Sequence, residues 1–280
     1  NSKGLSLKDN IIITAKDFEY NKSLNIISAE GRVSIIDKIN NYKINSEFIS
    51  YAREEEKIYT KGKTTAIIHS RYNIKSEDVL FLNNENKELI SKKNTIITDN
   101  LNLYNLSKFR YLINKEKLIG ENIMISSNYK LPKNDKIYFS SGIINLKTKD
   151  FIAKDTEIKI HKNIFDVSDN DPRLKGVSSS KNGNITIINK GVFTSCKEND
   201  DCPPWSVQAS EIEHDKEKKQ LNYKNAFIKL YDIPVLYFPK FFHPDPSVKR
   251  QSGLLKPVLN NSNVLGSSFA IPYYKVISND

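Results

Sequence analysis

The chain has 280 residues, of which 38% are apolar, including 14 tyrosines and 13 phenylalanines. This composition is too apolar and too aromatic for a disordered chain, and the length suffices for one large or two ordinary domains. The net charge of +10 comes from dispersed lysines, so charge alone does not select an anionic partner. No run of residues approaches the roughly 18 apolar residues of a transmembrane helix, and the first residues lack the apolar core of a signal peptide.

The first half of the chain repeats a two-strand pattern. Residues 13–33 and 44–64 each contain two segments in which apolar and polar side chains alternate, and Gly31 recurs as Gly62, 31 residues later. Alternation with a period of two on both sides of a polar turn predicts strand, hairpin, strand.

A third copy spans residues 74–96 and has Lys93 at the glycine position, and weaker copies lie at 137–160 and 207–227. Charged and asparagine-rich segments separate the predicted strands at 21–23, 53–57, 83–87, 147–150 and 215–219. Because no hairpin of this kind buries its apolar face alone, the hairpins are expected to stack into a continuous β structure. Two facing layers would then enclose an elongated apolar interior.

The two cysteines, Cys196 and Cys202, lie in one polar segment. A zinc site usually needs four Cys and His ligands, and the nearest histidine, His214, is alone, so no metal site is expected. A local disulfide between the two is sterically feasible and would suit an oxidising compartment. Two free thiols, or a bridge to cysteines outside this chain, are the alternatives.

Prolines are dense in the last third of the chain. Pro234 and Pro239 bracket an apolar run, and Pro244 and Pro246 follow closely, before the sequence Arg-Gln-Ser-Gly-Leu-Leu-Lys-Pro at 250–257. Proline excludes helix and interrupts central ladders, so each of these residues should lie at a strand end, an edge or a turn.

These motifs resemble the LptD family of lipopolysaccharide (LPS)-assembly outer-membrane proteins. The family's order and spacing of motifs are matched at residues 205–209, 214–215, 223–226, 233–239, 242–247 and 250–257. The hairpins over residues 11–230 resemble the family's OstA-type repeat. The resemblance implies an all-β fold: an OstA-type twisted β-jellyroll of hairpin repeats over 1–230 and a Pro-rich hinge over 231–249. Residues 250–280 would be the first two strands of an incomplete outer-membrane β-barrel, which needs at least eight strands.

The resemblance also implies a function in LPS transport and assembly at the outer membrane, with this portion mostly in the periplasm. The jellyroll would receive LPS from a periplasmic bridge and shield its acyl chains in an apolar groove on the way to the barrel. The alternative is that the same inward residues simply fill a core. The lipid-groove candidates are Phe18, Tyr20, Ile26, Phe48, Tyr51, Ile58, Phe81, Ile144, Phe151, Ile212, Tyr223, Phe227 and Tyr237.

Partners follow from the same resemblance. They are LPS itself, a bridge protein similar to LptA at the N-terminal edge strand near residues 10–18, and a lipoprotein plug similar to LptE through the missing barrel. Pro234, Pro239, Pro244 and Pro246 would fix the corner where lipid leaves the jellyroll, or would serve only as rigid turns.

Other functional classes are less well supported by the sequence. Ser195, Cys196 and the His-Asp neighbours at 214–215 and 243–245 could be imagined as a nucleophile and base, but no catalytic motif accompanies them, so no enzyme activity and no cofactor are expected. Nucleic-acid binding is not expected either, because no recognised module is present. A stand-alone soluble OstA-type bridge protein, or a structural or adhesive surface protein without a lipid ligand, are the remaining alternatives.

Overall fold

The computed structural model describes residues 3–6, 11–131, 134–160, 171–198, 203–245, 252–254, 258–262 and 266–277. These residues form an all-β, jellyroll-like fold with a single 3-10 turn at Ile113–Lys115, which confirms the predicted fold class. The described part of the chain has no helix that is long and apolar enough to cross a membrane.

The chain divides into two compact units, Asn1–Phe151 and Ile152–Asp280. This division falls inside the segment predicted as one jellyroll over residues 1–230, and the predicted domain limits stay predictions.

The strands of unit 1 are β1 Lys3–Ser6, β2 Ile11–Ala15, β3 Asp17–Asn21, β4 Ile26–Asp37, β5 Tyr42–Ala52, β6 Lys57–Ile68, β7 Tyr72–Glu77, β8 Leu80–Leu82, β9 Glu88–Ser91, β10 Thr95–Thr98, β11 Asn102–Leu106, β12 Lys108–Leu112, β13 Lys117–Ser127 and β14 Lys136–Asn145. The following strands are β15 Phe151–Lys159, β16 Arg173–Asn182, β17 Ile185–Thr194, β18 Trp205–Asp215, β19 Gln220–Leu230, β20 Ile233–Pro244, β21 Gly253–Leu254, β22 Val258–Ser262, β23 Gly266–Ala270 and β24 Tyr273–Tyr274.

The repeat seen in the sequence corresponds to long antiparallel strands that bend near their middle. Strands β4, β5 and β6 pair side by side, and the register shifts between Glu30 and Val33 and again at Glu47. Gly31 and Gly62, the repeated glycines, have φ of +81° and +76°. Glycine adopts this left-handed conformation without a steric penalty, and an extra residue at such a bulge bends the strand.

The third copy of the repeat has lost this continuity. β7 and β8 both pair with β6, each along a different half of it. The break between them contains Asp78, whose φ is +48°. β9 and β10 are likewise separated at residues 92–94, around Lys93, which replaces the repeated glycine. A residue with a Cβ disfavours the left-handed conformation, and the strand is interrupted where the earlier copies bulge.

Unit 2 contains five successive antiparallel strands, β16 to β20. Its buried core is built from residues of β16 to β19, namely Leu174, Ile188, Phe193, Val207, Ala209, Ile212, Leu221, Tyr223, Ala226 and Ile228. Trp205, Phe238, Phe241 and Ile271 pack against this core and are partly buried. In contrast, all five residues of β23 are exposed.

The proline-rich block is placed differently from the expectation of separate rigid corners. Pro234, Pro239 and Pro244 all lie in β20, which pairs with β19 along its length, while Pro246 lies outside the described residues. Among the described strands β20 pairs only with β19, so it is an edge, and an edge strand tolerates prolines because they need not donate to a further neighbour. Residues 233–244 are therefore part of the sheet, and a hinge over 231–249 stays a prediction.

Candidate functional site

A row of five apolar side chains crosses unit 1 from an open edge to the buried interior. Tyr20 on β3 lies opposite Ile27 on β4, Ile27 opposite Tyr51, Tyr51 opposite Ile58, and Ile58 opposite Phe81 on β8. Cross-strand partners share one face of a sheet, so these five residues form a continuous strip. Exposure falls along it: Tyr20 is 47% exposed, Ile27 half-buried, Tyr51 7%, Ile58 1% and Phe81 0% exposed. We call this strip the inner row.

The open end of the inner row coincides with an unpaired strand edge. Within the described chain β3 pairs only with β4, whereas β2 lies between β1 and β4. The edge expected near residues 10–18 is thus covered by β1 at residues 12–15, and the exposed edges in this part of the described chain are those of β1 and of β3 at Asp17–Asn21.

Buried hydroxyl groups lie beside the inner row, at the level where the strands bend. The Thr64 hydroxyl donates to Thr60 Oγ1 at 2.7 Å, and the backbone N–H of Val79 donates to the same oxygen at 2.8 Å. Ser76 and Thr95 form a second buried hydroxyl pair at 2.7 Å. These contacts satisfy polar groups that the interrupted ladder would otherwise leave buried and unpaired. The alternation in the sequence does not predict these hydroxyl pairs, because it does not distinguish a buried threonine from an exposed one.

The structure buries about half of the residues predicted to face a lipid groove. In unit 1 the buried residues are Tyr51, Ile58, Phe81, Ile144 and Phe151, and in unit 2 they are Ile212 and Tyr223. Phe18, Ile26 and Phe48 are half-buried, and Tyr20, Phe227 and Tyr237 are 41–51% exposed. Whether the buried residues contact lipid stays a prediction.

Three of these residues, Ile26, Phe48 and Phe227, lie at positions that alternate with the buried ones, and their place in a lipid groove stays a prediction. Ile26 and Phe48 are next to the inward-facing positions of their strands, and these positions are occupied by Ile27 and Ile49. In β5 Glu47 lies opposite two residues on each neighbouring strand, and the alternation of β5 reverses there, so Ile49 and not Phe48 is buried.

The same reversal occurs in β19. The buried residues are Leu221 and Tyr223 before Asn225 (φ +48°) and Ala226 and Ile228 after it. Phe227 is therefore on the outer face, where its ring packs 4.9 Å from the ring of its cross-strand partner Tyr237.

A buried ion pair lies elsewhere in unit 1. Lys149 Nζ pairs with the Asp99 carboxylate and donates to Tyr104 Oη at 3.1 Å, and it lies 5.7 Å from the ring centroid of Tyr72. Burial by itself would raise the pKa of Asp99, but the hydrogen bonds from Lys149 and from the backbone N–H groups of Asn102 and Leu101 outweigh it and hold the pKa below its usual value. Burial raises the pKa of Tyr104, so its hydroxyl stays protonated.

The residues considered as possible catalytic groups each contact a different partner. His214 Nε2 lies 2.5 Å from Asp245 Oδ2, whereas His243 Nε2 lies 2.7 Å from Tyr223 Oη. The sequence neighbour Asp215 instead accepts backbone hydrogen bonds at the 215–218 turn. No catalytic arrangement is assembled from these side chains in the described structure.

Cys196 is a buried, free thiol whose Sγ lies 3.6 Å from the Trp205 carbonyl oxygen. Cys202 lies outside the described residues, so the disulfide stays a prediction.

The chain is similar to several curated proteins named LPS-assembly protein LptD. It is 35% identical over 136 residues to that of Hahella chejuensis, covering 46% of this chain and 15% of the relative. It is 32% identical over 114 residues to that of Nitrosomonas eutropha, covering 37% and 15%. It is 39% identical over 89 residues to that of Yersinia pestis biovar Antiqua, covering 32% and 11%.

The matches thus span at most 15% of the length of these relatives. No protein-family model matches the chain. Together, the motifs at residues 205–257, the all-β hairpin array and these similarities show that the chain is LptD-like.

Proposed function

We propose that this chain takes part in LPS transport and assembly at the outer membrane, and that the inner row of unit 1 receives acyl chains of LPS. The inner row is the observation that carries the proposal, because it joins an exposed edge at Tyr20 to a buried apolar interior at Phe81. The similarity to proteins named for LPS assembly supports the choice of ligand. No bond is made or broken in this function, so it needs apolar surface rather than catalytic groups.

The energetic reason for such a strip is the cost of exposing acyl chains to water. Each CH₂ group removed from water contributes about 0.8 kcal/mol, so an acyl chain gains several kcal/mol by lying against apolar side chains. Ile58 and Phe81 have almost no exposed surface. Lipid would therefore first contact the open end at Tyr20 and Ile27 and would reach Ile58 and Phe81 only when the segments that bury them move apart.

Site-specific photo-crosslinking in cells tests this proposal. A photoreactive residue at Ile27 or Tyr51 should crosslink to LPS, whereas one at Tyr59 should not. Tyr59 is the matched control, because it is adjacent to Ile58 on β6 but 47% exposed on the outer face. Equal crosslinking at the inner and outer positions, or none at the inner positions, would contradict the proposal.

The same proposal extends to localisation and partners. We place this part of the protein in the periplasm at the outer membrane and propose that the free edges of β1 and β3 accept a strand from a periplasmic bridge protein similar to LptA. An edge strand presents unpaired N–H and C=O groups that a further strand can bind. The interaction with a plug lipoprotein similar to LptE stays a prediction.

A further inference from the structure

The C-terminal end of β20 is held to unit 2 by two histidines. His214 on β18 contacts the Asp245 carboxylate at 2.5 Å, and these two side chains are 22% and 17% exposed. His243 on β20 contacts the hydroxyl of Tyr223 on β19 at 2.7 Å. The first contact is partly open to solvent, and in the second the Tyr223 side chain is buried in the core while His243 is half-buried.

The contacts of His243 define which of its nitrogens carries the proton. Nδ1 lies 2.7 Å from the carbonyl oxygen of Pro244, which can only accept a hydrogen bond, so Nδ1 carries the hydrogen. Nε2 of a neutral imidazole is then an acceptor, and the Tyr223 hydroxyl donates to it. Protonation would turn Nε2 into a donor to the oxygen of the Tyr223 hydroxyl, and the hydroxyl hydrogen of this buried side chain would lose its acceptor.

The surroundings of His243 also disfavour a charge. Its ring lies 5.2 Å from that of Phe193 on β17 and 5.3 Å from that of Tyr223. The titratable groups facing it are Tyr223 from β19, His214 from β18 and Asp245 from its own end of the chain. Burial lowers the pKa of His243 below its ordinary value of 6.5, and the Pro244 carbonyl and Asp245 offset this only in part.

We propose that neutral His243 is a proton-sensitive latch that fastens Phe241–Asp245 to the core of unit 2, and that protonation of its Nε2 releases this end of β20. Phe241 would be released with it, because its ring stacks on that of Tyr223 at 4.5 Å with an interplanar angle of 3°. The released strand end is the one that precedes β21 to β24, so the latch would control how these C-terminal strands are held. This inference does not depend on LPS being the ligand.

The direction of the pH effect follows from linkage. A released, solvated His243 binds a proton near its ordinary pKa of 6.5, whereas the latched residue resists protonation. The latched state is therefore fully favoured above pH 6.5 and loses stability as the pH falls below this value. Each unit by which the latched pKa is lowered corresponds to about a tenfold change in the ratio of released to latched molecules.

Trp205 provides a reporter for this change in the intact chain. It is the only tryptophan in the sequence, and its ring lies 6.0 Å from Phe193, which itself contacts His243. We expect the fluorescence of Trp205 to change between about pH 7.5 and about pH 5, on either side of the ordinary histidine pKa. Over the same range, backbone amides at 241–245 should exchange about tenfold faster after correction for the chemical exchange rate, while amides of β16 and β17 stay protected.

Two variants assign the change to His243. In His243→Gln the amide oxygen can accept from Tyr223 but cannot be protonated in this range, so the pH-dependent change should disappear. In the matched control His214→Gln, the Asp245 contact is altered but the change should persist. Persistence of the transition in His243→Gln would overturn the proposal. If that variant does not fold, the wild-type exchange experiment decides alone, and exchange at 241–245 that is independent of pH would overturn it.

Discussion

The most consequential single-residue contact in unit 1 is that of Lys149 with Asp99. The Asp99 side chain is only 3% exposed, and its charge is stabilised by Lys149 Nζ and by backbone N–H groups at 2.7–2.8 Å. A buried carboxylate that loses its cation retains its desolvation cost without the compensating attraction. Lys149 therefore matters more for stability than any of the exposed lysines that give the chain its net charge.

The substitution Lys149→Met should lower the free energy of unfolding by about 2–4 kcal/mol, measured by chemical denaturation. The matched control is Lys147→Met in the same turn, which is exposed and should change it by less than about 0.5 kcal/mol.

The pH dependence of this destabilisation tests whether the ion pair with Asp99 is its cause. The pKa of Asp99 is below its ordinary value of 3.8 in the folded state. The stabilisation is therefore present above this pH and lost as the pH falls through the lowered pKa. The difference in the free energy of unfolding between wild type and Lys149→Met should become smaller in strong acid. A difference that is independent of pH would contradict the ion-pair explanation.

At the scale of the elements, left-handed residues inside long strands decide which side chains face inward. Examples are Asn122 in β13, Lys190 in β17 and Asn225 in β19, with φ of +49°, +49° and +48°. Each lies where the alternation of buried and exposed residues is reversed. Because side chains otherwise alternate with a period of two, a reversal at one residue moves every later side chain of the strand to the opposite face.

The bulge at Glu47 gives a direct test of this effect in β5. Ile49→Ala should lower the free energy of unfolding by about 2–4 kcal/mol, because Ile49 is 1% exposed and its removal leaves a cavity. Phe48→Ala, one residue earlier on the outer face, should cost less than about 1 kcal/mol. Denaturation curves of the two variants provide the comparison, and a larger loss for Phe48 would show that the alternation is not reversed.

At the scale of the whole molecule, the open edges determine where further strands can be added. β3 offers an open side in unit 1, and β20 is an edge in unit 2 among the described strands. β20 carries Pro234, Pro239 and Pro244, which cannot donate a backbone hydrogen bond, whereas β3 contains no proline. Strand addition is therefore better supported at β3 than at β20.

A pair of proline variants tests strand addition at β3. Glu19 and Tyr20 are adjacent and exposed, so one directs its N–H toward β4 and the other toward the open side. Glu19→Pro and Tyr20→Pro should therefore differ: one should weaken binding of the LptA-like bridge by at least about tenfold with little loss of stability, and the other should destabilise the β3–β4 pair. Calorimetric binding and thermal unfolding separate the two effects. Unchanged affinity in both folded variants would remove β3 as the binding edge.

The alternation at 13–33 and 44–64 was sufficient to predict the first hairpins, since each strand and turn is specified by neighbouring residues. It was not sufficient to orient Ile26, Phe48 and Phe227, because each is followed by a second apolar residue and alternation does not show which of the two faces inward. The Lys149–Asp99 and His243–Tyr223 contacts were also out of reach, since each joins residues far apart in the chain.

Local sequence patterns were sufficient to predict the all-β class, the hairpin repeat with Gly31 recurring as Gly62, and the resemblance to the LptD family. These features depend on local alternation, turn chemistry and motif order, all of which are written along the chain. Only the tertiary structure decided which face is buried beyond each bulge, that Ile233–Pro244 is a strand of the sheet, and that the inner row opens at β3. The physical reason is that strand pairing and burial are set by partners distant in sequence, whose positions local patterns do not encode.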